Sequence, residues 1–300
     1  MGLTRHDIDF LFHAKRLGAD FERSCMLGRL RFYGESKDLV ACMEKHGYAI
    51  EGMEEAARMD KYSEPLFQIL GAQQTESLDY SDYEGATIIH DLNQPVPLHL
   101  KNTFTCVVDG GTIEHVFNFP VAVKSCMESL KVGGHFLGIT PANNQMGHGF
   151  YQFSPELIFR VFSEENGFKV KQMLIAADAD SGQTQEWYEV ADPKSVKSRV
   201  MLVNNRPVTM RFIAEKTAEV EIFKSTPQQS DYVDTWNRHT ALVQNDAKAS
   251  GDTIMYMIKK FVPYKLKVFV RNIINLWNKE TITSRTLGEI DPKQFRKVDI

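Results

Sequence analysis

Residues 104–140 read FTCVVDGGTIEHVFNFPVAVKSCMESLKVGGHFLGIT, and this stretch decides the fold class. The apolar run Phe104–Asp109 ends in an acid followed by two glycines, which is typical of a buried strand and a tight turn. Asn118 is a favourable cap for a helix whose apolar residues recur every three or four positions. The glycine pair at 133–134 is predicted to end that helix, and His135–Thr140 is predicted to be the next strand. The stretch therefore predicts a strand–helix–strand unit of an α/β protein.

The same alternation of short apolar runs and helical patterns extends over about residues 23–215. It predicts five further strands, at Arg23–Gly28, Thr75–Asp79, Ala86–His90, Phe168–Ala176 and Val208–Ala214. A second helix is marked by Ser154 as its cap and by the Asn-Gly pair at 166–167 as its end. Strands that alternate with helices form mostly parallel sheets with right-handed crossovers, so the sequence predicts such a sheet flanked by helices.

A change of pattern near residue 216 predicts two parts of the chain. Residues 1–215 form the α/β core, in which residues 36–70 add helices that could form a lid. Residues 179–206 are polar and irregular, and they are predicted to be a loop or an insertion over one edge. Residues 216–300 form a C-terminal extension in which the pattern indicates helices alone. These helices are predicted at about 231–248, 252–262 and 264–279.

Composition excludes several classes of protein. The formal net charge of −4 provides no overall basic field that would attract nucleic acid. The four cysteines form no C-x-x-C pair, so neither a disulfide framework nor a zinc site is expected, and no metal ligands are assigned. No apolar run is long enough to span a bilayer, and the first residues lack the apolar core of a signal peptide. The sequence therefore predicts a soluble, cytoplasmic protein.

Three acids stand at or just after the ends of predicted strands, where open α/β sheets bind their ligands. Asp79 ends the second strand, and its carboxylate is expected to accept two hydrogen bonds from a ribose diol. Asp91 follows the third strand and is placed to reach an adenine amino group. Both acids have the alternative of being turn residues, which Asp often is. Asp109 ends the fourth strand, and Gly110 and Gly111 after it let the backbone approach a ligand closely.

The segment 107–141 resembles the second half of class I methyltransferases. In that family the fourth strand ends in an acid, a Leu/Ile-Glu-His-Val sequence follows, and a helix leads to a Leu-x-x-Gly-Gly turn before the fifth strand. These elements stand here at Asp109, at 113–116 (IEHV) and at 130–134 (LKVGG). With the two upstream acids, the resemblance covers about residues 23–215. It implies a Rossmann-like, seven-stranded, mostly parallel sheet, S-adenosylmethionine (SAM) as the cofactor, and transfer of its methyl group.

The resemblance also implies a cofactor site along the ends of the strands. The residues assigned to it are Gly28, Arg29, Asp79, Tyr80, Asp91, Leu92, Asp109, Gly110 and Gly111. The first strand departs from the family pattern, because the acid-x-Gly-x-Gly loop is replaced by residues 26–32 (MLGRLRF), in which only Gly28 fits. Either Arg29 takes over by pairing with the carboxylate of the cofactor, or the site has decayed and the protein is a non-catalytic relative.

Two histidines are candidates for a general base if the acceptor is a hydroxyl group. His115 lies just beyond the cofactor loop and His148 lies on the Gly-His-Gly loop after the fifth strand, and a neutral imidazole can take a proton near pH 7. His115 has the alternative of packing on the next helix, and His148 that of a loop residue without a special role. Glu114 could orient His115, hold a metal ion, or be a buried and paired carboxylate.

The acceptor is expected to be a small polar metabolite, with a sugar or glycan precursor preferred. Asn144, Phe150 and Tyr151 follow the fifth strand, and this mixture of amide and aromatic side chains could wall the acceptor pocket. Residues 254–279 carry basic residues without acids on an amphipathic pattern. They could contact an anionic membrane surface, or pack against the core or the second subunit of a homodimer.

Two other functions are compatible with a similar sheet. An NAD-dependent oxidoreductase needs G-x-G-x-x-G after the first strand, which GRLRFYG at 28–34 does not supply. A non-catalytic binding or scaffold protein would keep the fold without the chemistry. Methyl transfer is the preferred function, and titration with SAM and with NAD would separate the three.

Overall fold

The computed structural model of the chain describes residues 2–49, 61–177, 185–245 and 290–300, and these residues form an α/β fold. The described strands are β1 (Gly2–Leu3), β2 (Arg23–Leu27), β3 (Arg31–Phe32), β4 (Gln74–Asp79), β5 (Ile88–Ile89), β6 (Phe104–Gly110), β7 (Leu130–Asn143), β8 (Phe168–Ala177), β9 (Trp187–Val190), β10 (Val208–Lys216) and β11 (Phe295–Val298). The described helices are α1 (Arg5–Arg16), α2 (Ser36–Lys45), α3 (Glu64–Ile69), α4 (Phe119–Ser129), α5 (Pro155–Val161), α6 (Pro193–Val196) and α7 (Ser230–Asn245). Short 3₁₀ turns lie at Leu98–Leu100, Ile113–His115 and Glu164–Asn166.

Nine of the described strands form one mixed sheet in the order β11-β9-β8-β10-β7-β6-β2-β4-β5. The five strands β7, β6, β2, β4 and β5 are parallel to one another. β10 is antiparallel to both β7 and β8. The seven strands predicted from the sequence are all present in this sheet. β9 and β11 add two antiparallel strands at one edge, so the sheet is wider than the seven strands that the resemblance implied.

Two predictions about this edge are wrong. Residues 179–206 are predicted to be an irregular loop or an insertion over one edge; the described part of them does lie at one edge of the sheet, but it is not irregular, because it contains β9 and α6. β11 lies beyond residue 216, where the pattern indicates helices alone. A strand of four residues shows almost no periodicity of its own, and its backbone hydrogen bonds come from pairing. β9 pairs with both β8 and β11, so tertiary contacts determine this edge of the sheet.

The glycine pair at 133–134 does not end the helix before it. α4 ends at Ser129, and Leu130 has extended backbone angles (φ −79°, ψ 141°) and already pairs with Phe104 of β6. A Cβ at Gly134 would lie 2.9 Å from the carbonyl oxygen of Lys131. The pairing of β6 with β7 shifts register between the pair Phe104–Leu130 and the pair Cys106–His135, on either side of the two glycines. The glycine pair therefore belongs to an irregular start of β7, where the backbone needs room.

Helices cover both faces of the sheet, and a hydrophobic core lies under each layer. Met26 of β2 and Val108 of β6 belong to the core that also contains residues of α1, α2 and α3. Leu27 and Val107, their neighbours in sequence, belong to the core that also contains residues of α4 and α5. Successive residues of a strand point to opposite faces, so these strands must bury both of their sides. This explains why their sequences are continuous apolar runs.

A buried ion pair anchors α1 to the sheet. Thr4 and Asp7 form a capping box at the start of the helix, with the Thr4 N–H donating to Asp7 Oδ2 at 2.7 Å. Arg211 of β10 donates from Nε to Asp7 Oδ1 at 2.8 Å, and both side chains are almost completely buried. The guanidinium group of Arg211 also lies 4.9 Å from the ring centroid of Trp187. One arginine therefore joins α1, β9 and β10.

Several peripheral predictions concern segments that are described only in part. α2 and α3 lie within residues 36–70, where the sequence predicts added helices, and their role as a lid stays a prediction. α7 covers most of the helix predicted at 231–248. The helices predicted at 252–262 and 264–279, with the cationic stretch that contains them, lie outside the described residues. The division of the chain near residue 216 stays a prediction. Among the helices described, none has both the length and the apolar character to cross a membrane.

Candidate functional site

The carboxyl ends of β2, β4 and β6 lie side by side in the sheet. The chain runs from β2 to β4 through α2 and α3 on one face, and from β6 to β7 through α4 on the other face. The direction of the strand order therefore reverses between β2 and β6. Open α/β sheets bind ligands in the crevice outside such a switch point. The register places Leu27 of β2 between Leu78 of β4 and Asp109 of β6.

Gly28 and Asp79 stand next to each other at this switch point. Gly28 has a φ of +71°, which favours glycine, and its N–H donates to the carbonyl oxygen of Leu78 at 2.7 Å. Asp79 is half-buried at the end of β4, and its Oδ1 accepts a hydrogen bond from the N–H of Tyr80 at 2.6 Å. The Tyr80 ring is exposed. The predicted ribose-binding acid is thus placed beside the one glycine of the first loop that fits the family pattern.

Asp91 adopts the turn conformation that was the alternative to ligand binding. Its Oδ1 accepts hydrogen bonds from the backbone N–H and the side-chain amide of Asn93, at 2.9 and 2.8 Å. These hydrogen bonds lower the pKa of the Asp91 carboxyl group. Leu92 is buried in the core with 7% of its surface exposed. The structure therefore favours a local structural role for both residues, and their contact with a cofactor stays a prediction.

Arg29 is engaged with other residues of the chain. Its Nε donates to Glu64 Oε1 at 2.6 Å, its Nη1 donates to the carbonyl oxygen of Glu84 at 3.0 Å, and its guanidinium group lies 4.0 Å from the ring centroid of Tyr62. Arg31 donates to the carboxylate of Glu84. The two arginines fasten the loop after β2 to the loop after β4. A role for Arg29 at the carboxylate of a cofactor stays a prediction, and this geometry does not favour it.

Asp109 is completely buried at the end of β6. Its Oδ1 accepts a hydrogen bond from the N–H of Thr112 at 2.8 Å, and the Thr112 hydroxyl donates to the carbonyl oxygen of Leu27 at 2.6 Å. Burial raises the pKa of Asp109 although backbone N–H groups of the following loop face the carboxylate. A Cβ at Gly110 would lie 2.8 Å from Leu30, so glycine permits close packing between the ends of β2 and β6. Thr112 was not predicted as part of this arrangement.

Glu114, His115 and His148 come together beside Asp109. The first two belong to the 3₁₀ turn after β6, and His148 belongs to the loop after β7. Glu114 Oε1 lies 3.4 Å from His148 Nε2, and the centroids of the two imidazole rings are 5.4 Å apart. Glu114 is 0% exposed, whereas the His148 side chain is 52% exposed. The cluster therefore has a buried carboxylate at its base and imidazoles at its surface.

The electrostatics of this cluster follow from burial. Burial and the negative charge of Asp109 raise the pKa of Glu114. Neither carboxylate oxygen of Glu114 has a hydrogen-bond partner among the described residues. Burial and the neighbouring His148 lower the pKa of His115, so its imidazole is neutral near pH 7. The site thus provides a neutral imidazole that can accept a proton.

The loop that carries His148 is fixed to Glu114 through its backbone. The N–H groups of Phe150 and Tyr151 donate to the carbonyl oxygen of Glu114 at 2.8 and 3.2 Å. Gly149 has a φ of +79°, and a Cβ there would lie 2.9 Å from the same carbonyl oxygen. Glycine at this position therefore allows the close approach that brings His148 to Glu114. The sequence marks the Gly-His-Gly loop but does not indicate where it docks.

Aromatic rings lie beside the exposed side of the cluster. Phe117 and Phe150 are exposed and make an edge-to-face contact, with their centroids 5.8 Å apart. The Tyr151 hydroxyl donates to the carbonyl oxygen of Phe117 at 2.6 Å. Phe117 was not predicted as a site residue, although an apolar side chain in a polar turn is a signal for one. Asn144 donates to the carbonyl oxygen of Asn204 at 2.9 Å, so its amide group fastens a neighbouring loop.

The raised pKa of Asp109 predicts a pH-dependent stability. Below the ordinary carboxyl pKa of about 4, protonated Asp109 makes its full contribution to the stability of the fold. Above that pH, the Asp109 carboxyl group has lost its proton in the unfolded chain but retains it in the folded chain. The contribution to stability is lost as the pH rises towards the raised value. As the pH rises, we expect the free energy of unfolding of the Asp109→Asn variant to fall by about 1–3 kcal/mol less than that of the wild type, because one pKa unit corresponds to about 1.4 kcal/mol. Urea unfolding at a series of pH values with a chelator present measures it.

The matched control for this prediction is Asp82→Asn, because Asp82 is an exposed acid in the loop after β4. The control should show the pH dependence of the wild-type protein. An Asp109→Asn variant with an unchanged pH profile would show that the buried carboxyl group is not the source of the decline.

Comparisons with known proteins add a likeness of fold. No protein-family model matches the chain, and no curated protein matches it. Solved structures similar to it include a SAM-dependent methyltransferase from Thermotoga maritima, described as a possible histamine N-methyltransferase, with 12% identity, coverage of 71% of this chain and 91% of that chain, and a TM-score of 0.36. The YcgJ protein from Bacillus subtilis has 11% identity, coverage of 72% and 100%, and a TM-score of 0.37.

A third similar structure is the branched-chain polyamine synthase from Thermus thermophilus, with 12% identity, coverage of 75% of this chain and 61% of that chain, and a TM-score of 0.36. Identities and TM-scores this low do not show the activity of this chain. Its fold is defined by the strand order and by the residues at the switch point.

Proposed function

We propose that the chain transfers a methyl group from SAM to a hydroxyl group of a small polar acceptor, with a sugar or glycan precursor preferred. The main support is the arrangement next to the switch point, where Gly28 and Asp79 lie side by side at the ends of adjacent strands and Gly28 has a positive φ. An acid at this position can accept two hydrogen bonds from a ribose diol, and the glycine leaves room for a ligand near the backbone. These residues fit the nucleoside part of SAM.

The loop after β2 favours SAM over a dinucleotide. Dinucleotides place their pyrophosphate at the N-terminus of a helix that directly follows the first glycine-rich turn. Here residues 29–30 connect Gly28 to β3, so the chain continues into a strand at that point. SAM has no phosphate group and does not need such a helix. The same observation argues against an NAD-dependent oxidoreductase.

The cluster beside the switch point fits the acceptor half of the reaction. SAM supplies a methyl group already activated on a sulfonium, so the protein has to position the acceptor, exclude water and remove the hydroxyl proton. His115 and His148 lie near the Asp109 end of β6, and the neutral ring of His115 can hold that proton. Phe117 and Phe150 give the acceptor an apolar surface beside these imidazoles. Aromatic faces combined with polar groups suit a small polar metabolite.

Asp79→Ala is expected to weaken SAM binding by about 1–3 kcal/mol, the usual loss when a charged hydrogen-bond acceptor is removed. Isothermal titration of the full chain with SAM measures the effect, and titration with NAD tests the alternative cofactor. Asp82→Ala is the matched control, because Asp82 lies in the loop that directly follows Asp79 and its side chain is exposed. Equal SAM affinity of the Asp79→Ala variant and the wild-type protein would remove Asp79 from the site. Binding of neither cofactor by the wild type would favour a non-catalytic binding protein.

A further inference from the structure

We infer that Glu114, His115 and His148 form a binding site for one divalent first-row transition metal ion, with Zn²⁺ as the best fit. The donor set of two imidazoles and one carboxylate is a set that such ions favour, whereas Mg²⁺ and Ca²⁺ prefer oxygen donors alone. One donor atom from each of the three side chains lies within 4.8 Å of the other two. Binding of the ion does not depend on the proposed methyl transfer.

The distances are close to what a shared ion requires. Donors at 2.0–2.1 Å from a tetrahedral ion are separated by about 3.3 Å. Glu114 Oε1 and His148 Nε2 are already 3.4 Å apart. His115 is adjacent in sequence to Glu114 on the same 3₁₀ turn, and its ring is tilted by 45° to that of His148. Rotation of the exposed imidazoles about their side-chain bonds would bring the three donors, which already lie within 4.8 Å of one another, closer to a common ion.

The burial of Glu114 is an independent observation that points to a ligand. Its side chain has no exposed surface, and neither oxygen has a hydrogen-bond partner among the described residues. A buried carboxylate without partners is costly, and buried charges in proteins are normally paired or bound to metals. A cation between Glu114 and His148 would satisfy this carboxylate. The 52% exposure of the His148 side chain leaves a path by which the ion and a further ligand can enter.

The backbone holds the donors in place before any ion arrives. The two hydrogen bonds from Phe150 and Tyr151 to the carbonyl oxygen of Glu114 fix the loop beside the 3₁₀ turn. Gly149 brings that loop within van der Waals contact of both Glu114 and His115. A site fixed by backbone contacts loses little conformational entropy when it binds a ligand. Three protein donors also leave an open coordination position for water or an acceptor oxygen.

The ion would have a role in the reaction that rests on the proposed function. A hydroxyl group bound to a divalent cation loses its proton more easily, because the cation stabilises the alkoxide. The proton would then leave to solvent or to a nearby base, and the acceptor oxygen would remain oriented by the protein. The cluster lies beside Asp109 at the end of β6, so an oxygen bound to this ion would lie next to the switch point.

Metal binding to the full chain tests the inference directly. The protein is stripped with a chelator and titrated with Zn²⁺ by calorimetry, and with Co²⁺ by its visible absorption, which reports the ligand geometry. We expect one ion per chain in the wild-type protein. Changing an outer-shell partner of a metal typically costs about 10–100-fold in affinity, so removal of a direct ligand in Glu114→Gln or His148→Ala should cost at least about a hundredfold.

His99→Ala is the matched control, because His99 is an exposed histidine away from the cluster. It should bind Zn²⁺ and Co²⁺ like the wild type. His148→Ala alters an exposed loop side chain, so it keeps the test valid if Glu114→Gln does not fold. Absence of stoichiometric binding by the wild type, or equal affinity of wild type and His148→Ala, would overturn the inference. Metal binding without SAM binding would overturn the proposed function and leave the metal site standing.

Discussion

Replacing His115 or His148 by alanine is expected to lower the rate of single-turnover methyl transfer by about a hundredfold or more, the usual contribution of a positioned proton acceptor. The dissociation constant of SAM should stay nearly unchanged, because the two imidazoles lie on the turn after β6 and the loop after β7 rather than at Gly28 and Asp79. The measurement is single-turnover transfer to an acceptor hydroxyl together with SAM titration of each variant. His99→Ala serves as the control and should retain the wild-type rate.

The pH dependence of the same reaction separates two roles for the histidines. If His115 accepts the proton itself, the rate rises with pH through an apparent pKa below the ordinary value for histidine of about 6.5, because burial and His148 lower the pKa of His115. If the histidines act as metal ligands, the activity of the wild type is lost on chelation and returns with Zn²⁺. Wild-type rates in both alanine variants would exclude both roles. Glu114 would then have to accept the hydroxyl proton, or the close positioning of acceptor and methyl donor alone would have to account for the rate.

Arg211→Met is expected to lower the free energy of unfolding by about 3–5 kcal/mol, the usual cost of breaking a buried ion pair by removing one partner. The variant would leave Asp7 buried without its counter-charge, since the Asp7 side chain is only 4% exposed. Met keeps an unbranched, apolar side chain at this position without the guanidinium group that lies over Trp187. Chemical denaturation of both proteins gives the difference. A cost below about 1 kcal/mol would mean that this pair behaves like a surface salt bridge.

Two further variants make this measurement specific. Arg296→Met removes an arginine paired with Glu189 at the exposed edge of the sheet, and it should cost less than about 1 kcal/mol. The double variant Asp7→Asn/Arg211→Met removes both charges of this pair, so it should be more stable than the sum of its two single variants predicts. Additive single effects would contradict a direct interaction between the two residues.

The order of the elements could be predicted because the central strands bury both faces. A strand such as β6 is an apolar run that ends in turn residues. The helices have recognisable caps, such as Ser154, whose Oγ accepts a hydrogen bond from the N–H of Leu157. β9 and β11 could not be predicted, because short edge strands owe their existence to pairing partners far away in sequence. α1 was missed although the sequence carries a signal for it, because Thr4 and Asp7 form a capping box at the start of an apolar helical pattern.

The site could be predicted in part. The positions of Asp79 and Asp109 followed from the ends of apolar runs, which the register of β2 with its neighbours bears out. The partners of Arg29 could not be foreseen, because Glu64 approaches it from the start of α3 and Glu84 from the loop after β4. The contact of Glu114 with His148 depends on the docking of a loop through Gly149 and on backbone hydrogen bonds. Such contacts leave no periodic signal in a sequence.

The pairing of β11 with β9 changes how the segment between α7 and β11 is attached to the protein. α7 is joined to the core near its start, where Ser230 donates to Glu156 and Asp231 accepts from Arg199, and β11 returns the chain to the sheet. The described chain therefore has a strand that follows α7 in sequence and is attached to the far edge of the sheet. A protease cut between α7 and β11 would leave β11 associated with the sheet through its pairing with β9.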